Sequence, residues 1–348
     1  MVSVLIVTWN SAPYIEKCFA SIDRQQYRDL EVVVVDNAST DATADLLRSR
    51  EAKWHVIYNP QNVGFAAGQN QAIRTAHGDW LLCLNPDVLL AEDFIVRLFE
   101  ALSRHAEAGA ICGKLLRWDR SAEVERTQII DSTGIYFTRN MRHLDRGAEE
   151  TDNGQYDRLE WVFGATGAAA MFRRPFVEAV SVDGEFFDED FFAFREDADL
   201  AWRAQLMGWK CLYVPSAVAW HVRRVTPERR QQLPHEINWH SVKNRFLMRG
   251  KNASGWLCWR LFWPVVWRDA MIFGYAVVRD RRLLSALISP LRNFRRVQHK
   301  RRIIQLRRRV TDRRLLWWFS DTPRARLAEV ETSPIPQSMS SAPVEDLP

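Results

Sequence analysis

The sequence predicts an α/β fold built on a doubly wound, mostly parallel sheet. Three observations carry that expectation. Residues 2–7, 30–35 and 80–84 are short, uncharged or nearly uncharged apolar runs, the pattern of strands buried on both faces. Segments between them carry apolar residues at helical spacing, as in Tyr14, Ile15, Cys18, Phe19 and Ile22. Through residue 84 the order is β-α-β-α-β-α-β, which places parallel strands side by side with helices on the faces.

The elements follow in order. Strand 2–7 ends in Thr8-Trp9-Asn10. Ser11 is a favourable N-cap and Pro13 suits the first helical turn after it. Strand 30–35 ends in Asp36-Asn37-Ala38-Ser39, and a helix through Ala44, Leu46 and Leu47 follows. Strand 54–58 leads through Asn62, Gly64 and Phe65 into a helix containing Gly68 and Asn70, which stops near His77-Gly78. Strand 79–84 then runs into Asn85-Pro86-Asp87, where Pro86 must end the ladder. A helix over 92–104, a strand over 108–116 and an irregular polar excursion over 117–160 come next. Residues 161–172 are apolar and rich in small residues. A helix beginning at Glu196-Asp197 and stopping at Gly208 precedes strand 210–214, which leads to Trp220-His221.

Charge divides the chain. From Lys243 to Arg314 there are 20 Lys+Arg against 3 Asp+Glu, a local +17 in a chain of net +5, so the remainder is acidic, near −12. Fifteen Trp is a high count, and the second half holds many of them. Five Cys show no paired spacing, and Cys18, Cys83 and Cys211 fall in apolar segments, so reduced thiols in a cytosolic setting are expected. The first residues read as a strand rather than a signal peptide.

Every strand in the first half ends in polar residues. Each exit alone is an ordinary turn or cap. Four in succession, two of them with carboxylates, make a ligand site at one sheet edge the stronger reading. No GxGxxG follows the first strand and no GxxxxGK[ST] occurs anywhere, so neither phosphate-binding fingerprint serves this site. Gly64 and Gly68 are candidates for a backbone approach to a diphosphate. A carboxylate at Asp87 could hold a hard divalent cation whose other ligands are substrate phosphates. His221 taken by itself reads as a structural residue.

These pieces, in this order and spacing, resemble a known family. Val-Thr-Trp-Asn at 7–10, Val-Asp-Asn-Ala-Ser-Thr-Asp at 35–41, Asn-Val-Gly-Phe-Ala-Ala-Gly-Gln-Asn at 62–70 and Leu-Asn-Pro-Asp at 84–87 are the first four. Gly-Ala-Ala-Ala at 167–170, Arg-Glu-Asp-Ala-Asp-Leu-Ala-Trp-Arg at 195–203 and His221 complete the set. Residues 1–245 resemble the inverting family 2 glycosyltransferases of GT-A fold, in particular their bacterial rhamnosyltransferase-like branch. The resemblance implies a nucleotide-sugar donor, dTDP-rhamnose favoured, held by Thr8, Asn10, Asp36, Asn37, Ser39, Asn62, Gly64, Phe65, Gly68, Asn70 and Asn85. Asp36 would recognise the base. It implies Mg²⁺ or Mn²⁺ on Asp87 and His221, with Asn85 and Asp87 standing where many relatives carry Asp-x-Asp. Asp197 would be the general base, with Glu196 beside it, and Gly167, Ala168, Trp202 and Arg203 would line the acceptor site.

Residues 246–320 form a basic, Trp-rich region of amphipathic helices, with uncharged runs too short to span a bilayer. Aromatic clusters alternating with Arg and Lys suit the headgroup layer of an anionic membrane better than nucleic acid. Residues 321–348, rich in Ser, Pro and acid, are expected to be disordered. The expected protein is therefore cytoplasmic, peripheral on the inner face of the cell membrane, and moves a sugar to a lipid-linked or cell-envelope glycan. A nucleotidylyltransferase would want a Gly-rich basic loop after the first strand, which 8–13 lacks. A non-catalytic sugar-nucleotide-binding tether should have lost Asp36, Asp87 or Asp197, and all three are present.

Overall fold

The computed structural model describes residues 1–118, 126–222 and 235–328. Strands β1 (Val2–Thr8), β2 (Leu30–Asp36), β3 (His55–Tyr58) and β4 (Trp80–Leu84) alternate with helices α1 (Ala12–Asp23), α2 (Thr43–Arg48) and α3 (Phe65–Thr75). β1 lies between β2 and β4, parallel to both, and β3 continues the parallel set beside β2. Thr8 and Asp36 are register partners, so both exits open on one edge. Ser11 precedes α1 as expected, but its hydroxyl does not cap the helix. It exchanges hydrogen bonds with the Trp9 backbone instead.

Pro86 ends β4 and the chain reverses into a three-residue strand, β5 (Val88–Leu90), before α4 (Phe94–Leu102) and the long β6 (Ala108–Trp118). The excursion after β6 contains β7 (Arg126–Ser132), β8 (Ile135–Phe137), β9 (His143–Asp145) and β10 (Glu160–Val162). Residues 161–172 divide between β10 and β11 (Ala169–Arg173). Then come α5 (Arg174–Val180), α6 (Glu196–Leu206) and β12 (Lys210–His221). The sheet is mixed: β11 runs antiparallel between β4 and β6, whereas β12 is parallel to β6. The expected strand 210–214 continues to His221 because β12 slips register between Val214 and Val218, around Pro215, which has no N–H for the ladder. β5 pairs antiparallel with the end of β12, Val88 opposite His221. That pairing carries the residue after Pro86 to the far half of the sheet.

The boundary expected at 245 falls inside α7 (His235–Asn252). Helices α8 (Gly255–Arg260), α9 (Phe262–Val278), α10 (Leu283–Arg292), α11 (Phe294–Leu306) and α12 (Asp312–Leu316) follow, and β13 (Arg326–Leu327) adds to the sheet beside β10. Residues 321–328, expected to be disordered, are thus placed in part on the sheet edge, and 329–348 lie outside the described residues.

Much of the basic region is joined to the acidic body. Lys300 donates to Glu185, Asp188 and Asp190 at 2.8, 2.6 and 3.0 Å, and Lys251 reaches Asp188 and Asp199. Burial alone would raise the Asp188 carboxyl, but the two ammonium groups outweigh it and hold it below the usual range. Removing one partner from a buried charge group costs about 3–5 kcal/mol, because the others stay buried and uncompensated. Lys300→Met should therefore lower the urea midpoint by that much stability in a single transition. A midpoint unchanged for the catalytic body would show that the helices are a separable appendage.

Candidate active site

The site assembles from four strand exits and the start of α6. At the first two exits, Asp36 is buried and accepts three hydrogen bonds: from Thr8 Oγ1 at 2.8 Å, from Ser39 Oγ, and from the Ser39 N–H at 3.0 Å. A carboxylate has about four lone-pair positions. One remains, on Oδ2, for an outside donor. The Asn10 N–H donates to Ser39 Oγ, and Asn10 Oδ1 accepts from the Thr40 N–H, so Thr8, Asn10, Asp36 and Ser39 form one network.

The third exit is built differently from the expectation. Asn37 is buried, donates to Gly64 O and accepts from Asn59. Asn62 Oδ1 caps the Gly64 N–H at 2.9 Å. Gly64 has φ +89°, and a Cβ there would come within 2.6 Å of the Phe192 ring. A Cβ on Gly68 would meet Val7 at 2.9 Å. These glycines let α3 close against β1 and Phe192, and the Ala66 N–H is already taken by Phe192 O. The N–H groups of Gly64 and Gly68 are engaged within the chain, by Asn62 Oδ1 and Gly64 O. Asn70 is likewise committed inward, exchanging hydrogen bonds with the Phe187 backbone and donating to Glu189. Phe65 is half-buried and packs edge-on against Phe187.

At the fourth exit, Asp87 and His221 meet through the β5–β12 pairing, with Oδ1 and Nε2 3.5 Å apart. His221 Nδ1 lies 2.8 Å from Asp131 Oδ2, on β7. Burial pushes the imidazole down, yet Asp131 and Asp87 outweigh it and hold it up at about 10. Asp131 is a residue that the sequence reading passed over. Its only signal was one acid after Ile129-Ile130 inside a polar stretch. A divalent cation would take the place of the Nε2 proton that now faces the Asp87 carboxylate, with Asp131 fixing the ring from behind. Among the described residues no group of three or more His, Cys, Asp or Glu closes on one point. A hard cation held by Asp87 and His221 would keep substrate phosphates and water as further ligands. Asp131→Asn is expected to weaken metal binding about 10–100-fold, measured by Mn²⁺ titration with electron paramagnetic resonance. An unchanged Mn²⁺ affinity would reduce Asp131 to a packing role.

Gly167 and Ala168 connect this exit to α6. Ala168 O accepts from the Asn85 N–H at 2.8 Å, and the Gly167 N–H donates to Asp197 Oδ2 at 3.1 Å. The Ala168 side chain packs into the core, so its expected contact with an acceptor is corrected to a structural one. Trp202 and Arg203 also turn inward. Trp202 is fully buried among Phe137, Phe163 and Phe319. Arg203 pairs with buried Asp199 at 3.0 Å and donates to the carbonyls of Val180 and Phe186. Helical periodicity carries residues 202 and 203 away from the face that holds Asp197.

Glu196 and Asp197 open α6 after a turn in which Phe192, Phe194 and Arg195 all have positive φ, +65° to +72°. Bulky residues rarely adopt that conformation, and it persists where surroundings over-determine it. α7 supplies the surroundings. Asn244 Nδ2 donates to the carbonyls of Phe191, Ala193 and Phe194 at 3.0, 2.8 and 2.7 Å, and Arg195 Nε donates to Ser241 O. Sequence reasoning missed Asn244, since one Asn in a helix carries no signal of what it clamps. Burial raises both carboxyls. Glu196, with Oε2 buried and lacking a hydrogen-bond partner among the described residues, is pushed up to about 8 by burial and then by Asp197. Near neutral pH Glu196 therefore keeps its proton, which spares Asp197 a second adjacent charge.

The sequence profile of glycosyl transferase family 2 matches residues 3–180. The chain belongs to glycosyl transferase family 2. This family 2 glycosyltransferase is 26% identical over 321 residues to an N-acetylglucosaminyl-diphospho-decaprenol L-rhamnosyltransferase of Mycobacterium tuberculosis, covering 82% of this chain and 97% of that one. Its fold is that of S. aureus TarS 1-349, with a TM-score of 0.54 and 15% identity, covering 88% of this chain and 86% of the other. It is also similar to the mannosyltransferase PcManGT from Pyrobaculum calidifontis, solved with GDP-Man and Mn²⁺, with a TM-score of 0.50, 19% identity and coverage of 88% and 85%. The mixed, mostly parallel sheet is thus a GT-A sheet, and the enzyme is a glycosyltransferase.

Proposed function

We propose that this enzyme transfers L-rhamnose from dTDP-rhamnose, with inversion, to a lipid-linked glycan at a membrane surface. The observation that carries the reading is the Gly167–Ala168 bridge. It ties the exit bearing Asn85 and Asp87 to the carboxylate of Asp197, so a donor diphosphate and a base would face one point from two sides. Asp36, with one accepting position left, suits a single base N–H such as the imide of thymine. Asp87 and His221 would hold Mg²⁺ or Mn²⁺, whose charge stabilises the departing diphosphate when bound. Asp197 Oδ1 and Oδ2 already accept from the Ala198 and Gly167 N–H groups, which fix the carboxylate to take the proton of an attacking hydroxyl. One base suffices for a single displacement, and no nucleophilic carboxylate is required. Rhamnose and the lipid-linked acceptor are supported by the name of the M. tuberculosis relative.

The membrane reading rests on exposed apolar side chains. Trp259, Trp263 and Trp267 are 73%, 77% and 71% exposed, and Met271, Tyr275 and Val278 extend the surface along α9. Arg260, Arg268, Arg279 and Arg282 lie among them, as an anionic headgroup layer would favour. Among the described residues no helix is long and apolar enough to cross a membrane. A panel of dTDP-rhamnose, UDP-glucose, UDP-galactose and GDP-mannose, each with Mn²⁺ and with EDTA, tests the donor by thermal shift. Metal-dependent stabilisation by dTDP-rhamnose alone is expected, and stabilisation by another donor instead would overturn the sugar assignment.

A further inference from the structure

Beside the base there is a second cavity, of about 370 Å³, between α7, α9 and α10. Arg142, Arg195, Arg245 and Arg268 line it, together with Met271, Ile272 and Tyr275 of α9. Two of its lining residues are linked to groups that act on Asp197. Arg195 lies two residues before Asp197, and its charge acts on that carboxylate. Arg142 immediately precedes β9, whose Asp145 also acts on Asp197. Arg195 and β9 are joined directly, Nη1 to His143 Nδ1 at 2.9 Å.

Two of these arginines, Arg245 and Arg268, are incompletely paired among the described residues. Arg245 is buried, and its carboxylate partner Asp269, at 3.2 Å, is shared with Arg249 at 2.6 Å. Arg268 Nε is buried and has no hydrogen-bond partner among the described residues. Burial, then the charges of Arg249 and Arg268, push the Arg245 guanidinium down to about 10, and Asp269 only partly offsets them. Guanidinium forks match phosphate oxygens in pairs, and a hydrocarbon chain suits the apolar residues that line the same cavity. Trp263 and Trp267 are exposed and precede Met271 and Tyr275 on the same helix, so a chain leaving the cavity along α9 reaches the surface assigned to the bilayer.

We propose that this cavity is the anchor of the acceptor: the arginines hold a diphosphate, and the apolar residues take the start of the lipid attached to it. The assignment rests on the transferase reading above and adds the part of the acceptor that it leaves undefined. A sugar carried on that diphosphate would lie toward Arg195 and so toward Asp197. Specificity for lipid-diphosphate acceptors would then reside in α7 and α9, outside the sheet.

The test uses the full chain and farnesyl diphosphate, with farnesol and inorganic pyrophosphate as separate arms, by titration calorimetry in saturating dTDP. Arg142 and Arg268 are half-buried, so Arg142→Gln and Arg268→Gln are the variants of choice, with the dTDP-rhamnose thermal shift as the folding control. Farnesyl diphosphate should bind despite dTDP, and each variant should weaken it about tenfold, as expected for a charge-assisted contact. Farnesol should bind more weakly and equally to wild type and variants. Pyrophosphate bound as tightly as farnesyl diphosphate would show a free-anion site and overturn the lipid assignment. Displacement of farnesyl diphosphate by dTDP, or variants within twofold of wild type, would overturn the subsite while leaving the donor site standing. Absence of the donor response in wild type as well would instead remove the proposed dTDP-rhamnose reading beneath it.

Discussion

Asp197→Asn is expected to lower kcat by about 10²–10⁴-fold, the usual contribution of a positioned general base, while the donor KM stays within a few-fold. The asparagine amide is nearly isosteric, but its single oxygen can accept from only one of the Gly167 and Ala198 N–H groups that hold the carboxylate, so the melting temperature serves as the control for the fold. With that temperature unchanged, the loss is chemical rather than architectural. The pH profile gives an independent reading. Burial raises Asp197, the Gly167 and Ala198 N–H groups and Arg195 lower it, Asp145 raises it, and the net shift is upward. A base works without its proton, so activity falls as pH drops through the raised value. The acid limb of the wild-type profile should thus lie above the ordinary aspartate range, near 3.9, and should be absent in the variant's residual rate. A kcat within tenfold of wild type, with the limb unchanged, would move the base elsewhere, and Glu196 would be the next carboxylate to test.

The parallel half of the fold was legible because each strand is buried on both faces and reads as an unbroken apolar run, as in β1, β2 and β4. β5, β8, β9 and β10 were not, since a three-residue strand is too short to show a period. The carboxylates that face the site were legible through their position at strand exits. The inward-turned residues were not: Asn70, Trp202 and Arg203 belong to the same motifs as the facing ones, and a motif does not say which way a side chain points. Asp131 and Asn244 act on partners 90 and about 50 residues away, a separation that no local pattern records. The basic region shows the limit most clearly. Read locally, Lys251 and Lys300 belong to a solvated charge run, but they are buried against Asp188 and Asp199. The opposed net charges of the two halves were the trace of that pairing. What remained outside, the tryptophans of α8 and α9, keeps the exposed character expected of it.

Asp87→Ala should abolish metal-dependent stabilisation by the donor and reduce kcat/KM by about 10²–10³-fold, as loss of several kcal/mol of charge stabilisation on the leaving group implies. The effect should exceed that of Asp131→Asn, because Asp131 acts through the His221 ring whereas Asp87 would touch the cation itself. Asp87 is only 7% exposed, and three features keep the fold intact on truncation. Its backbone is held independently, with Asp87 O accepting from the Val222 N–H at 3.0 Å. The β5–β12 pairing likewise uses backbone groups of residues 88–90 and 219–221. His221 would keep Asp131 as a charged partner. The variant should consequently melt near the wild-type temperature in EDTA and differ only when Mn²⁺ and donor are both added. Free dTDP supplies the contrast, because the Asp36 network is untouched by the change and base recognition should persist at reduced affinity. If Mn²⁺ and dTDP-rhamnose still raise the melting temperature of Asp87→Ala as they do in wild type, the cation is not held here. The Asp87–His221–Asp131 row would then be a structural charge relay between β5, β12 and β7, and the diphosphate would have to be neutralised by other groups of the site.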